Sequence, residues 1–325
     1  MLRYSKRQGL ETTPFPNGKS PRMSEETKKD EVFRSGFACL IGRPNVGKST
    51  LVNRLVGRHV SIATPKPQTT RTRILGVSNA PGSQLVLIDT PGIHMEGGEL
   101  NTRMLRYAEG ALEETDLVLL LMEPAWPPGN EDRKAMELAR KAGGGKFLVL
   151  NKVDAAREAD VPAAIAAHAQ EGGWDEIVPV SALTGRGVKH LRGLMADVMP
   201  EGPEYFPPGM HTDQPEQQIV AELIRGEVIR RMHQELPYRT AVEVEEMSTR
   251  NKVLRIHARI HVERDSQRGI LIGKGGQMLK TLGTAARKRI EGLLGARVFL
   301  DLHVGVLKGW SEDPRHLARL GYPEK

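Results

Sequence analysis

The stretch Gly42, Arg43, Pro44, Asn45, Val46, Gly47, Lys48, Ser49 constrains this chain more than any other. It fits G-x-x-x-x-G-K-[ST], directly after the apolar run Phe37–Ile41 and directly before the helical pattern Thr50–Val56. Strand, glycine-rich turn and helix in that order wrap backbone N–H groups and a helix N-terminus around a phosphate. Lys48 then neutralises β- and γ-phosphates, and the Ser49 hydroxyl ligates Mg²⁺. Further short apolar runs lie at Leu85–Ile88, Leu117–Met122, Lys146–Leu150 and Ile177–Val180, separated by amphipathic stretches such as Glu131–Lys141 and Gly187–Val198. This alternation predicts an α/β domain, a mostly parallel sheet with helices on both faces.

Three more elements sit at the C-terminal ends of those runs, where open α/β sheets bind ligands. Asp89, Thr90, Pro91 and Gly92 follow Leu85–Ile88 and provide a second acidic element near the metal. Asn151, Lys152 and Asp154 follow Lys146–Leu150. A buried carboxylate at Asp154 accepts hydrogen bonds from N1–H and the exocyclic amine of guanine, a donor pair that adenine lacks. Ser181, Ala182 and Leu183 follow the last run and are placed to offer a backbone amide to the guanine oxygen. The four elements together predict a GTP/GDP site with Mg²⁺, in which Thr50 completes the phosphate loop.

Residues 1–33 are polar and rich in Pro, Gly, Ser and Lys without an apolar period, so they read as a disordered extension with no secretory signal; Met23 is an alternative start. The GTPase domain is expected over 34–200. A linker over 201–215 belongs to the proline cluster at Pro200, Pro203, Pro207, Pro208 and Pro215, and a second domain spans 216–325. Charge is unevenly spread. Residues 36–210 carry nineteen Lys/Arg against twenty Asp/Glu, whereas residues 211–325 carry twenty against fifteen. Between Gln267 and Val298 seven cations (Arg268, Lys274, Lys280, Arg287, Lys288, Arg289, Arg297) face one acid, Glu291, which points to a polyanion partner. In that window Ile272, Gly273, Lys274, Gly275 and Gly276 form a G-x-x-G loop between two predicted helices, a device that lets a nucleic-acid backbone approach closely. The order helix 216–233, strand 240–246, strand 252–262, helix, glycine turn, helix 277–294, strand 296–304 resembles a smaller α+β type II KH domain.

Residues 36–325 as a whole resemble the Era family of translation-factor-like GTPases, on the phosphate loop, the segment Pro67, Gln68, Thr69, Thr70, Arg71 and the glycine loop at Gly273–Gly276. The resemblance implies a first switch at Thr64–Arg73, in which Thr70 or its neighbour Thr69 reaches Mg²⁺ with Ser49 and Asp89. It implies a second switch from Asp89 through Ile93–Leu100, with Lys48, Thr70 and Gly92 as the residues serving hydrolysis. Ile93 stands where many small GTPases carry a water-orienting glutamine, so hydrolysis is expected to be slow; His94 is either a base or a solvated loop histidine. Asn45 resembles an asparagine that holds K⁺ beside the phosphates in related GTPases, or is a polar turn residue. The family binds 16S rRNA near its 3′ end and acts in 30S subunit assembly. By resemblance Ile272–Gly276, Lys280, Arg287 and Lys288 contact that RNA in the cytoplasm, the chain acting as a monomer.

Two other classes compete: a constitutive RNA-binding protein whose nucleotide is structural, and a GTPase peripheral to the inner face of the membrane. No eighteen-residue apolar run is present, and the single Cys39 excludes a disulfide framework or a Cys-based zinc site and suggests a reducing compartment. Only 3 Trp, 5 Tyr and 6 Phe argue against a sheet that stacks many bases, and Trp310 reads as a core residue under the C-terminal helix.

Overall fold

The computed structural model describes residues 32–64, 66, 69–92, 98–113 and 115–324; Met23, Pro67, Gln68, Ile93 and His94 lie outside the described residues. Strands β1 (Arg34–Ile41), β3 (Ser83–Asp89), β4 (Leu117–Met122), β5 (Gly145–Leu150) and β6 (Glu176–Pro179) run parallel in the order β3-β1-β4-β5-β6. Strand β2 (Ile74–Ala80) pairs antiparallel with β3 at the edge. Periodicity did not reveal β2, because Gly76, Ser78 and Asn79 interrupt its apolar run; the turn at Pro81 and Gly82 makes it a hairpin with β3.

The continuous apolar runs are explained by burial on both faces. In β4, Leu117, Leu119 and Leu121 pack with Leu51 and Leu55 of α1 (Lys48–Val56) and Leu191 of α5 (Val188–Val198). Val118, Leu120 and Met122 point the other way, into Ala111 of α2 (Glu99–Glu113), Met136 of α3 (Asn130–Lys141) and Ala164 of α4 (Asp160–Glu171). Burying each such side chain contributes about 1.5–3 kcal/mol.

A second sheet has the order β7 (Thr240–Arg250), β8 (Val253–Val262), β9 (Arg297–Val306), with β8 antiparallel to β7 and parallel to β9. Helices α6 (Glu216–Arg231), α7 (Asp265–Ile272) and α8 (Gln277–Leu294) bury Val220, Ile224, Leu271, Leu282 and Ile290 against Ile256, Ala258 and Ile260 of β8. Here the alternation is visible in sequence, because one face of the sheet stays open. Trp310 is fully buried with Ala241, Leu317 of α9 (Pro314–Arg319), Tyr322 and, from α2, Leu100 and Met104, as its core reading requires.

The proline-rich segment 201–215 is not a loose tether. Gly202 N donates to Phe33 O at 3.1 Å, the Gln84 Oε1 accepts from Tyr205 N and Phe206 N at 2.8 and 2.9 Å, and Val77 N donates to His211 O at 2.9 Å. The prolines cannot donate, so side chains and β2 provide the pairing. No helix among the described residues is long and apolar enough to cross a membrane.

Candidate nucleotide site and nucleic-acid interface

Gly47 caps α1 in the left-handed region, φ 104°, and a Cβ there would lie 2.3 Å from Asn151 Nδ2. Only glycine satisfies both conditions. Lys48 is buried, its Nζ donating to Gly42 O and Arg43 O at 3.0 and 3.1 Å. Burial pushes its ammonium down to about 8, with Asp89 opposing the shift. Around it a cavity of about 470 Å³ is lined by Pro44, Asn45, Gly47, Lys48, Ser49, Thr50, Thr70, Gly92, Lys152 and Leu183.

Ser49 Oγ and Thr70 Oγ1 lie 2.9 Å apart, and Asp89 Oδ2 accepts from Thr70 Oγ1 at 3.2 Å and from Ser61 Oγ at 2.6 Å. Asp89 is fully buried; burial raises its pKa, and Ser61 and Lys48 oppose the rise. Its Oδ1 makes no hydrogen bond among the described residues. A buried carboxylate with an unused oxygen beside two hydroxyls is an all-oxygen donor set of the kind Mg²⁺ takes. Of the two threonines left open by the sequence, Thr70 faces this set, whereas Thr69 Oγ1 donates to Lys66 O at 2.8 Å and closes a turn.

Asn151 joins three loops. Its Nδ2 donates to Val46 O at 2.8 Å and its Oδ1 accepts from Ala182 N at 2.9 Å, so the asparagine braces the phosphate loop against Ser181–Leu183. Of the backbone amides of Ser181–Leu183 expected to reach the guanine oxygen, that of Ala182 is thereby engaged by Asn151. Thr90 is also turned inward, its Oγ1 donating to Leu40 O at 2.6 Å. Asp154 is exposed rather than buried and sits in the turn after β5. Pro91 is buried, and Asn45 is exposed with φ 62°.

Glu123, after β4, escaped sequence reasoning because a lone acid in a Pro-rich loop carries no pattern. It pairs with Lys152 at 2.6 Å and with Arg43 at 2.9 Å, and Arg43 also reaches Asp132 at 3.3 Å. Burial pushes the Glu123 carboxyl up, but Lys152 and Arg43 outweigh it and hold it below the usual range. Glu123 therefore ties the phosphate loop to the base loop. Its pairs are about one-third exposed, which limits their worth. Glu123→Gln is expected to speed GDP dissociation about threefold, roughly 0.6 kcal/mol, with Glu123→Asp in between; stopped-flow displacement of a fluorescent GDP measures it.

Ala63, Lys66, Thr69 and Arg71 are gripped by the second domain. Arg71, 1% exposed, donates to Thr240 O at 2.8 Å, Tyr238 O at 2.7 Å and Pro237 O at 3.3 Å, and lies 5.8 Å from the Trp310 ring centre. Arg225 of α6 is fully buried, donates to Thr69 O and pairs with Glu222 at 2.6 Å. Arg230 donates to Ala63 O at 2.8 Å and Lys66 to Met232 O. No sequence pattern marks such contacts, since both arginines read as surface charges until the partner surface is folded.

In the second domain Gly273 has φ 71°, and a Cβ there would sit 2.7 Å from Met278 Cβ. The chain turns in one residue from α7 into a single 3₁₀ turn, Lys274–Gly276, and α8. Lys274 and Gly275 are exposed, and Ile272 is half-buried beneath them. A groove of about 400 Å³ runs alongside, lined by Gly276, Leu279, Lys280, Arg287, Phe299 and Leu302 among others; Lys288 is exposed on α8 outside that lining. Phe299 is half exposed with Arg255 5.5 Å from its ring centre, a stacking surface that the low aromatic count had hidden.

Comparisons with known proteins meet this geometry at both ends. Residues 37–152 match the family described as 50S ribosome-binding GTPase, and residues 235–311 match the KH domain family. The chain is 50% identical over 295 residues to GTPase Era of Geobacter metallireducens, covering 90% of this chain and 99% of that protein. It belongs to the Era family of GTPases. GTPase Era of Geotalea uraniireducens is 48% identical over 294 residues, with 90% of this chain and 99% of the relative covered. Among solved structures, Era in complex with MgGDPNP and nucleotides 1506–1542 of 16S ribosomal RNA superposes with a TM-score of 0.86 at 34% identity, over 90% of this chain and 99% of that one. An Aquifex aeolicus Era variant bound to GDP·AlF4⁻ gives 0.84 at 34% identity, over 90% and 100%. The P-loop GTPase fold followed by a KH domain is thus the Era architecture.

Proposed function

We propose that this chain is a GTP-hydrolysing switch that binds the 3′ region of 16S rRNA and serves assembly of the 30S subunit. One observation carries the coupling: the three consecutive residues Thr69, Thr70 and Arg71 face two ways. Thr70 turns its hydroxyl to Ser49 and Asp89, while the Thr69 carbonyl and the Arg71 guanidinium are held by the KH domain. Losing the γ-phosphate and its metal contact therefore acts on the same segment that anchors α6 and the α6–β7 turn.

Ser49, Thr70 and Asp89 are the residues that would hold Mg²⁺, and the ion would supply positive charge to the transferred phosphoryl group. Lys48 adds a second positive charge from within the loop, and the Asn151 brace keeps that loop in shape for the base. Water attacks the γ-phosphorus and GDP leaves, with no covalent intermediate. Ile93 brings no water-orienting group, so turnover by the chain alone is slow. Asn45 lines the nucleotide cavity and resembles the asparagine that holds K⁺ in related GTPases, so K⁺ in place of Na⁺ is expected to raise turnover. Binding to 16S rRNA supports a cytoplasmic location and action as a monomer.

The variant Lys274→Asp with Gly275→Asp puts two carboxylates in the exposed loop. Crosslinking in cells is expected to recover the 16S 3′ end with wild type and not with the variant, at unchanged GDP affinity. Equal crosslinking by both, or RNA affinity identical with GTP, GDP and no nucleotide, would overturn the switch reading.

A further inference from the structure

A cavity of about 590 Å³ lies between the GTPase domain and the KH domain; it shares Ile62 and Ala63 with the wall of the nucleotide cavity and no lining residue with the KH groove. Its walls are Ile62 and Ile74 from the segment before and after the first switch, Ile219 and Leu223 from α6, and Leu293 from α8. Two guanidiniums, Arg230 and Arg289, reach it. Both converge on one nearly buried carboxylate, Glu227: Arg230 at 2.7 Å, Arg289 at 2.5 Å, with Arg231 on the other oxygen. The acid that lines the wall, Glu222, is already matched by buried Arg225. The hollow itself is thus lined by two guanidiniums, Arg230 and Arg289, that share the single carboxylate Glu227, so positive charge is in excess on its apolar wall.

We propose that this cavity binds a small amphipathic organic anion. Its charged head lies against Arg230 and Arg289, and its apolar body against Ile62, Ile219 and Leu293. The size is that of a small-molecule site, apolar walls with few convergent polar groups. Excess guanidinium charge at its mouth selects anions over neutral molecules of the same shape. Because the segment that carries Ile62 also carries Ser61, hydrogen-bonded to Asp89, and Ala63, held by Arg230, such a ligand sits against the wall of the nucleotide site.

The probe is 8-anilinonaphthalene-1-sulfonate, titrated by fluorescence into the GDP-bound full-length chain. One site per chain is expected, displaced by decanoate but not by decanol or acetate. Arg289→Gln should weaken the probe about tenfold, as for loss of one charge-assisted contact, and Arg289→Lys should recover part of it. Gly292 lines the cavity, and a Cβ there meets no atom within 4 Å, so Gly292→Leu fills the space without strain in α8 and should abolish probe binding at unchanged GDP affinity. Undiminished binding to Gly292→Leu overturns the location, and displacement by decanol as effective as by decanoate overturns the anion selectivity.

Discussion

Asn151→Ala is expected to lower the affinity for GTP and GDP by about 10²–10³-fold while the chain still folds. The substitution removes two buried hydrogen bonds at once, to Val46 O and from Ala182 N, and leaves both backbone groups without their partner. Each unsatisfied buried group costs about 1–3 kcal/mol, and here the cost falls on the two loops that face the phosphates and the base. Asn151→Asp should be at least as damaging, since a carboxylate oxygen would replace the donor opposite Val46 O. Equilibrium titration with a fluorescent GDP measures the loss, and far-ultraviolet circular dichroism checks the fold. An affinity within threefold of wild type would mean that the loops hold their shape without the brace.

Arg71→Ala is expected to uncouple the two domains. The side chain fills the seam with three carbonyl partners and a Trp310 contact, so its removal leaves carbonyls at Pro237, Tyr238 and Thr240 facing a void. Each carbonyl left buried without a partner costs about 1–3 kcal/mol. Two readouts follow. Differential scanning calorimetry should resolve the KH and GTPase domains as separate, lower transitions. The affinity for a 16S 3′-end oligonucleotide should become the same with GDP and a GTP analogue. A single unshifted transition together with a preserved nucleotide effect on RNA would place the coupling elsewhere in the seam, at Arg225 or Lys66.

What could be read before folding was the chemistry whose ligand groups are close in sequence. Gly42–Ser49 needs its glycines and lysine at fixed spacing on one turn, and Gly273–Gly276 needs a one-residue reversal between helices, so both stand out as strings. The parallel sheet was legible for the same reason: strands buried on both faces leave unbroken apolar runs such as Leu117–Met122, whereas the half-polar edge strand Ile74–Ala80 left none. Asp154 lies in the turn after β5, as expected, but is exposed where the sequence suggested burial, because burial depends on what covers a turn rather than on its sequence.

By itself, then, the sequence determined a phosphate-binding α/β domain with guanine-type loops and a basic KH-like domain behind a proline cluster. Only the tertiary structure decided that Thr70 rather than Thr69 faces Asp89, that Glu123 and Asn151 lock the loops together, and that Arg71 and Arg225 bind the switch to the KH domain. Hydrogen bonds between residues as far apart as Arg71 and Thr240 leave no periodicity in either segment. They exist only once two separately formed cores bring their surfaces within 3 Å, and it is that approach which turns arginines with ordinary sequence surroundings into buried partners of the nucleotide switch.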